Sequence, residues 1–152
     1  MFPEDYDYFY STIMKILITG FAGFVSQHFL SLLNTNEPGS KVLGIDKNKP
    51  DFNFSSFPHL SIAFENIDLL DKVATDKVLD DFKPEYILHL ASVSSVAQSW
   101  LTPLETFVNN TTIFLNLVEL VRINNNKCRI LSVGSSEEFG EVAETDLPLT
   151  EE

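Results

Sequence analysis

The sequence predicts a doubly wound α/β domain, a parallel sheet with helices on both faces. Three observations carry that prediction. Short apolar runs rich in β-branched residues alternate with segments whose apolar residues recur at helical spacing. The first run ends on a glycine turn that opens directly into a helix. The second ends on an acid, Asp46, 20 residues beyond Ser26 of that helix.

The elements follow in order. Met14-Lys-Ile-Leu-Ile-Thr-Gly20 has the pattern of a buried parallel strand. A helix is expected over about residues 23–34, with Phe24, Val25, His28, Phe29, Leu32 and Leu33 as its apolar stripe and the turn residues of Asn34-Thr-Asn-Glu-Pro-Gly39 ending it. Lys41-Val-Leu-Gly-Ile45 is the second strand, closed by Asp46, and Leu60-Ser-Ile-Ala-Phe64 the third. Asp71 is suited to cap a helix whose stripe is Val73, Val78, Leu79 and Phe82. Glu85-Tyr-Ile-Leu-His-Leu-Ala91 is the fourth strand. A long helix over about residues 103–123 carries Pro103 in its first turn and points Phe107, Phe114, Leu117, Val118 and Val121 inward. Ile130-Leu-Ser-Val133 is the fifth strand, and the right-handed crossover rule gives the strand order 3-2-1-4-5. A sheet that stops at this strand leaves an edge and part of a face uncovered, so association or low solubility is expected.

Composition narrows the function. With 44% hydrophobic and 21% charged residues, the chain is globular rather than disordered. Its net charge of −12 argues against a nucleic-acid or anionic-membrane partner, since both need concentrated positive charge. The charge is unevenly placed. Ten of the 22 acids lie in residues 1–13 and 137–152, leaving 12 acids against ten bases between them. Residues 1–13 read as an extension, ahead of a binding domain over residues 14–152. Cys128 is the single cysteine, which fits a reducing compartment, and no apolar run reaches the roughly 18–20 residues needed to span a bilayer. A soluble cytoplasmic protein is expected. His28, His59 and His89 have no ligand spacing, so no metal site is expected.

The chemistry is concentrated in Thr19-Gly-Phe-Ala-Gly-Phe-Val-Ser26. Gly20 permits a tight turn after the first strand. Gly23 lets the backbone approach a pyrophosphate at the positive end of the helix. Ser26 occupies the place of a third glycine. Asp46 is positioned to accept hydrogen bonds from the adenosine ribose hydroxyls, and its charge repels a 2′-phosphate. NAD is therefore favoured over NADP, with Lys47 and Lys49 softening the preference. Asp68 and Leu69 stand where the adenine edge would lie, although Asp68 fits equally a helix cap.

By the fifth strand the sequence resembles the extended short-chain dehydrogenase/reductase family, the NAD-dependent epimerase/dehydratase group, whose nucleotide-binding part is a Rossmann fold. The segments that carry the resemblance are Thr19 through Val25, His89-Leu-Ala-Ser92, Asn110 through Glu119, and Val133-Gly-Ser-Ser-Glu-Glu-Phe-Gly140 continuing to Glu152. The resemblance implies that Phe24, Val25, Leu90, Ala91 and Ser92 join Gly20, Gly23, Asp46, Asp68 and Leu69 around the cofactor. It implies that Ser135 bonds the reacting sugar oxygen, a hydroxyl placed to stabilise a developing alkoxide. It offers Glu137 as a base at sugar C5, as in sugar 4,6-dehydratases, against the alternative of a solvated acid. Asn110 matches a helix asparagine that stabilises the site. Ser94 and Ser95 lie in the loop that binds the sugar, or are turn residues. Ile113-Phe114 and Phe139 depart from the family's common Gly-Thr and Tyr.

Locally, Ser94-Ser-Val96 and Val133 through Glu138 are most similar to GDP-mannose 4,6-dehydratases and GDP-4-keto-6-deoxymannose reductases. A GDP-sugar substrate and a homodimer of the full-length form are thus expected, with hydride transfer at sugar C4. A UDP-sugar 4-epimerase and a non-catalytic dinucleotide-binding remnant remain as alternatives. The family's Tyr-x-x-x-Lys is absent: Tyr6, Tyr8, Tyr10 and Tyr86 are followed four residues on by Tyr10, Thr12, Met14 and Leu90. The expectation is a front portion, with the substrate-binding part beyond residue 152, that binds dinucleotide but does not turn over alone.

Overall fold

A computed structural model of the chain describes residues 13–124, 127–135 and 139–148. Strands β1 (Lys15–Thr19), β2 (Lys41–Asp46), β3 (Ser61–Asn66), β4 (Tyr86–His89) and β5 (Arg129–Ser132) form one parallel sheet in the order β3-β2-β1-β4-β5. This is the predicted order. The helices are α1 (Phe24–Asn36), α2 (Lys72–Phe82), α3 (Val96–Leu101) and α4 (Pro103–Ile123).

Alternation along the strands builds two cores. Leu17, Leu43, Ile45 and Ile87 point to one face and pack with Leu79 of α2 and with Ile113, Leu117 and Leu120 of α4. Ile16, Ile18, Val42 and Leu88 point to the other, where Leu30 and Leu33 of α1 and a Phe-rich loop cover them. Each fully buried leucine, such as Leu17 or Leu117, contributes about 1.5–3 kcal/mol.

Helix ends follow local chemistry. The Asp71 carboxylate accepts the N–H groups of Val73 (3.1 Å) and Ala74 (3.0 Å) and starts α2. Pro103 occupies the first turn of α4, where its missing N–H costs nothing. Ser95 caps α3, a short helix that the sequence pattern does not predict. The fourth strand is also shorter than expected, ending at His89 rather than Ala91.

The predicted helix stripes need rotating. In α1 the buried residues are Ser26, Leu30 and Leu33, while Phe24 is 78% exposed and Val25 and Leu32 also face outward. The Ser26 hydroxyl bonds to the turn beneath it and draws that side of the helix inward. In α2, Val73 is 81% exposed and Thr75 is buried instead. In α4 the inward face is Ile113, Leu117, Leu120 and Val121, and Phe107 lies 68% exposed. Beyond α1 the same face of the sheet opens on a shallow apolar hollow of about 290 Å³ lined by Met14, Phe29, Leu88 and Leu131.

Candidate cofactor site

A cleft of about 750 Å³ opens at the carboxyl ends of β1, β2 and β4. It lies where the strand order reverses around β1, the place at which open α/β sheets bind ligands. Gly20 adopts φ +69°, and a Cβ there would lie 2.7 Å from the Leu90 carbonyl carbon and the Ala91 nitrogen. Only glycine meets both demands. The turn closes through Gly23 N–H to the Gly20 carbonyl at 3.0 Å. Gly23 then caps α1 with extended backbone, no side-chain cap and no acid in the first turn. Asp71 and Ser95, by contrast, cap α2 and α3 with their side chains. The positive end of α1 is therefore open at the cleft wall formed by Gly23, Phe24 and Val25. Ser26, in the place of the third glycine, is fully buried and donates its hydroxyl to the Phe21 and Gly23 carbonyls.

Asp46 stands opposite. Its Oδ2 accepts the Ala22 N–H at 3.0 Å and its Oδ1 the Asn48 N–H at 2.8 Å. Lys47, Lys49 and Asp51 extend the cleft beyond it. Asp68 and Leu69 line the far wall. Asp68 accepts the Leu70 N–H at 2.9 Å, and the buried Leu69 offers its carbonyl to Asn116 Nδ2 at 3.3 Å.

The floor is set by the exit from β4. Leu90 N–H bonds the Thr19 carbonyl (3.1 Å), Ala91 N–H reaches Thr19 Oγ1 (3.4 Å), and the same Oγ1 lies 2.7 Å from His89 Nδ1. Burial holds the His89 imidazole below its ordinary value of 6.5, and its ring rests against Phe114, 5.6 Å between centroids. Leu90, Ala91, Ser92 and Ser94 line the cleft; Ser95 serves instead as the α3 cap. Asn110 lies behind the loop and clamps it. Its Oδ1 accepts the Val93 N–H at 2.8 Å while its Nδ2 donates to the Val93 carbonyl at 3.2 Å.

At the end of β5, Val133 and Gly134 reach the cleft, and Val133 N–H bonds the His89 carbonyl at 3.2 Å. Ser135 follows, exposed and outside the cleft lining. Glu137 lies outside the described residues. Cleft residues that the sequence did not single out are Asn48, Asp51, Ile67, Val93 and Asn109. Ile113, noted as a departure from the family pattern, also lines the wall. Among the described residues no group of three or more His, Cys, Asp or Glu is arranged to hold a metal, and no helix is long and apolar enough to cross a membrane.

The glycine turn at an open helix end, the acid closing β2 and the cleft at the switch point define a dinucleotide-type Rossmann domain. The family model described as NAD dependent epimerase/dehydratase matches residues 16–152, and the chain belongs to that family. It is 34% identical to a UDP-glucose 4-epimerase of Caenorhabditis elegans, over 91% of this chain and 42% of the relative. It is 28% identical to a dTDP-glucose 4,6-dehydratase of Neisseria meningitidis serogroup B, over 90% of this chain and 42% of that protein. The UDP-glucose 4-epimerase of Bifidobacterium longum, solved in complex with NAD+ and UDP, superposes with a TM-score of 0.77 at 26% identity, over 90% of this chain and 41% of the other. The chain thus spans about two fifths of the length of these proteins.

Proposed function

We propose that the chain is the NAD-binding portion of a nucleotide-sugar epimerase or dehydratase. The observation that carries this is the uncapped α1 N-terminus facing the same cleft as Asp46. The first-turn N–H groups of α1 would hold the pyrophosphate. A carboxylate has about four acceptor sites, and two backbone donors leave Asp46 room for ribose hydroxyls. Its charge disfavours a 2′-phosphate, so NAD is preferred to NADP. When bound, NAD supplies the ring carbon that exchanges a hydride with sugar C4. The Thr19 and Asn110 bonds fix the loop of residues 90–94 against which the nicotinamide half would rest. In a longer protein Ser135 would donate to the reacting sugar oxygen, with Glu137 as the base if the reaction is an elimination. No Tyr-x-x-x-Lys occurs in these 152 residues, so the chain alone binds without turning over.

For the sugar we propose a UDP- or dTDP-hexose, as in the names of the relatives above. The second reading, a GDP-sugar, is favoured by Ser94-Ser-Val96 and Val133-Gly134 with their neighbours. The lone Cys128 supports work in the cytoplasm. A homodimer is proposed for the longer form, with the exposed apolar residues of α4 as its surface.

Calorimetric titration with NAD and NADP tests the core of the reading. Saturable NAD binding, tighter than NADP, is expected, and absence of binding to either sinks it. Saturation-transfer NMR on the NAD-loaded longer protein with UDP-, dTDP- and GDP-glucose separates the two sugar readings.

A further inference from the structure

The phosphate turn rests on a side chain that no motif marks. Phe21, between Gly20 and Ala22, is fully buried, and its ring lies on the bare Cα of Gly44 in β2. A Cβ at Gly44 would overlap the ring carbons. Three further rings enclose it, those of Phe52 (5.4 Å between centroids), Phe54 (5.9 Å) and Phe64 (6.0 Å). Its backbone is equally committed. The N–H donates to the Ile45 carbonyl at 3.2 Å, and the carbonyl accepts the Ser26 hydroxyl.

We propose that Phe21 is the positioning residue of the phosphate turn: seated on Gly44, it fixes the Gly20–Gly23 backbone and the α1 N-terminus before any ligand arrives. This rests on the dinucleotide reading and deepens it. A glycine turn left to itself is soft, because glycine samples more backbone conformations than any other residue. Ordering it on ligand binding would cost affinity, and an anchored turn avoids that cost. The ring points away from the cleft into the aromatic cluster, so it acts through the backbone without touching ligand. Gly44 is the other half of the joint, since any side chain there displaces the ring.

The test separates positioning from core filling. Phe21→Leu and Gly44→Ala are each made in the full 152-residue chain and titrated with ADP and with adenosine, with thermal melts alongside. Both should weaken ADP by about tenfold more than adenosine, the scale of a helix-terminus anion contact, since adenosine meets the turn only through the bond between Asp46 and the Ala22 N–H. Because adenosine lacks the pyrophosphate, a general loss of folded protein lowers both affinities together. An unchanged ADP-to-adenosine ratio in folded variants overturns the proposal and makes Phe21 core filler. If Phe21→Leu fails to fold, the ratio in Gly44→Ala decides alone. Failure of the unsubstituted chain to bind ADP or NAD is a different result, and it removes the dinucleotide reading itself.

Discussion

The Asp46 carboxylate is bonded to the turn that it faces, Oδ2 accepting the Ala22 N–H at 3.0 Å across 24 residues of sequence. The acid at the end of β2 and the glycine turn after β1 are thus one unit in the folded chain. Asp46→Asn keeps the shape but loses the charge and one acceptor, leaving either Ala22 or Asn48 facing an amide NH₂. A hydrogen bond to a charged group is worth about 1.5–3 kcal/mol, so NAD affinity should fall by about ten- to a hundredfold. The NAD-to-NADP preference should shrink with it. Titration of both cofactors checks this, and an unchanged ratio would show that Asp46 does not read the ribose.

Asn110 replaces a missing strand partner for Val93, satisfying both its N–H and its carbonyl. Asn110→Ala leaves both groups to water or to nothing. The expected destabilisation is about 1–3 kcal/mol, with faster amide exchange concentrated at Val93 and its neighbours. Asn110→Asp keeps the acceptor but turns the donor into a second acceptor facing the Val93 carbonyl, so it should not rescue. Denaturant melts and residue-resolved hydrogen exchange measure the two effects. Exchange that rises evenly across the sheet would contradict a local clamp.

The strands, their order, the Asp71 cap and the Pro103 start were legible because each rests on chemistry local in sequence: a run, a capping oxygen, an imino ring. The helix stripes were legible only in period. Which arc of α1 turns inward depends on the Ser26 hydroxyl and the turn below it, and spacing cannot show that. Helix α3 was missed because Val96, Trp100 and Leu101 are exposed, so its six residues show no inward stripe. Gly20, Gly23 and Asp46 could be read as a set from their places at strand ends, and all three line the cleft. The Phe21–Gly44 and Thr19–His89 pairs span 23 and 70 residues and follow no motif. Only the parallel register that sets Thr19 beside both Ile45 and His89 brings them together.

On α4, Leu104 (74% exposed) and Phe107 (68%) lie one turn apart, and Trp100 of α3 (82%) stands nearby in sequence. Apolar residues grouped this way mark a contact surface more often than a solvated one. On the homodimer proposed above, Phe107→Glu should lower the associated fraction while leaving the melt at low protein concentration, where the chain is monomeric, unchanged, because the side chain leaves no buried contact behind. Sedimentation velocity at several concentrations reads the effect. Leu131→Glu on β5 is the control for association through the apolar hollow: if it alone yields monomer, the α4 surface is not the interface.

His89 is 5% exposed, and burial disfavours its charged form. The folded chain therefore holds the imidazole neutral at pH values where the unfolded chain binds a proton. Unfolding takes up that proton, so stability rises with pH between the depressed folded value and the ordinary value of 6.5, and is level above it. Acidification through that window should lower the melting temperature and, through Thr19 and the Ala91 N–H, loosen the cleft floor. His89→Gln removes the titration while leaving a polar partner for the Thr19 hydroxyl. Its melting temperature should vary less with pH across the window than that of the unsubstituted chain, the carboxylates contributing equally to both. Parallel slopes in the two proteins would mean that the proton taken up on unfolding goes elsewhere. A difference confined to the window would identify the Thr19–His89 contact as the acid-sensitive joint beneath the cofactor cleft.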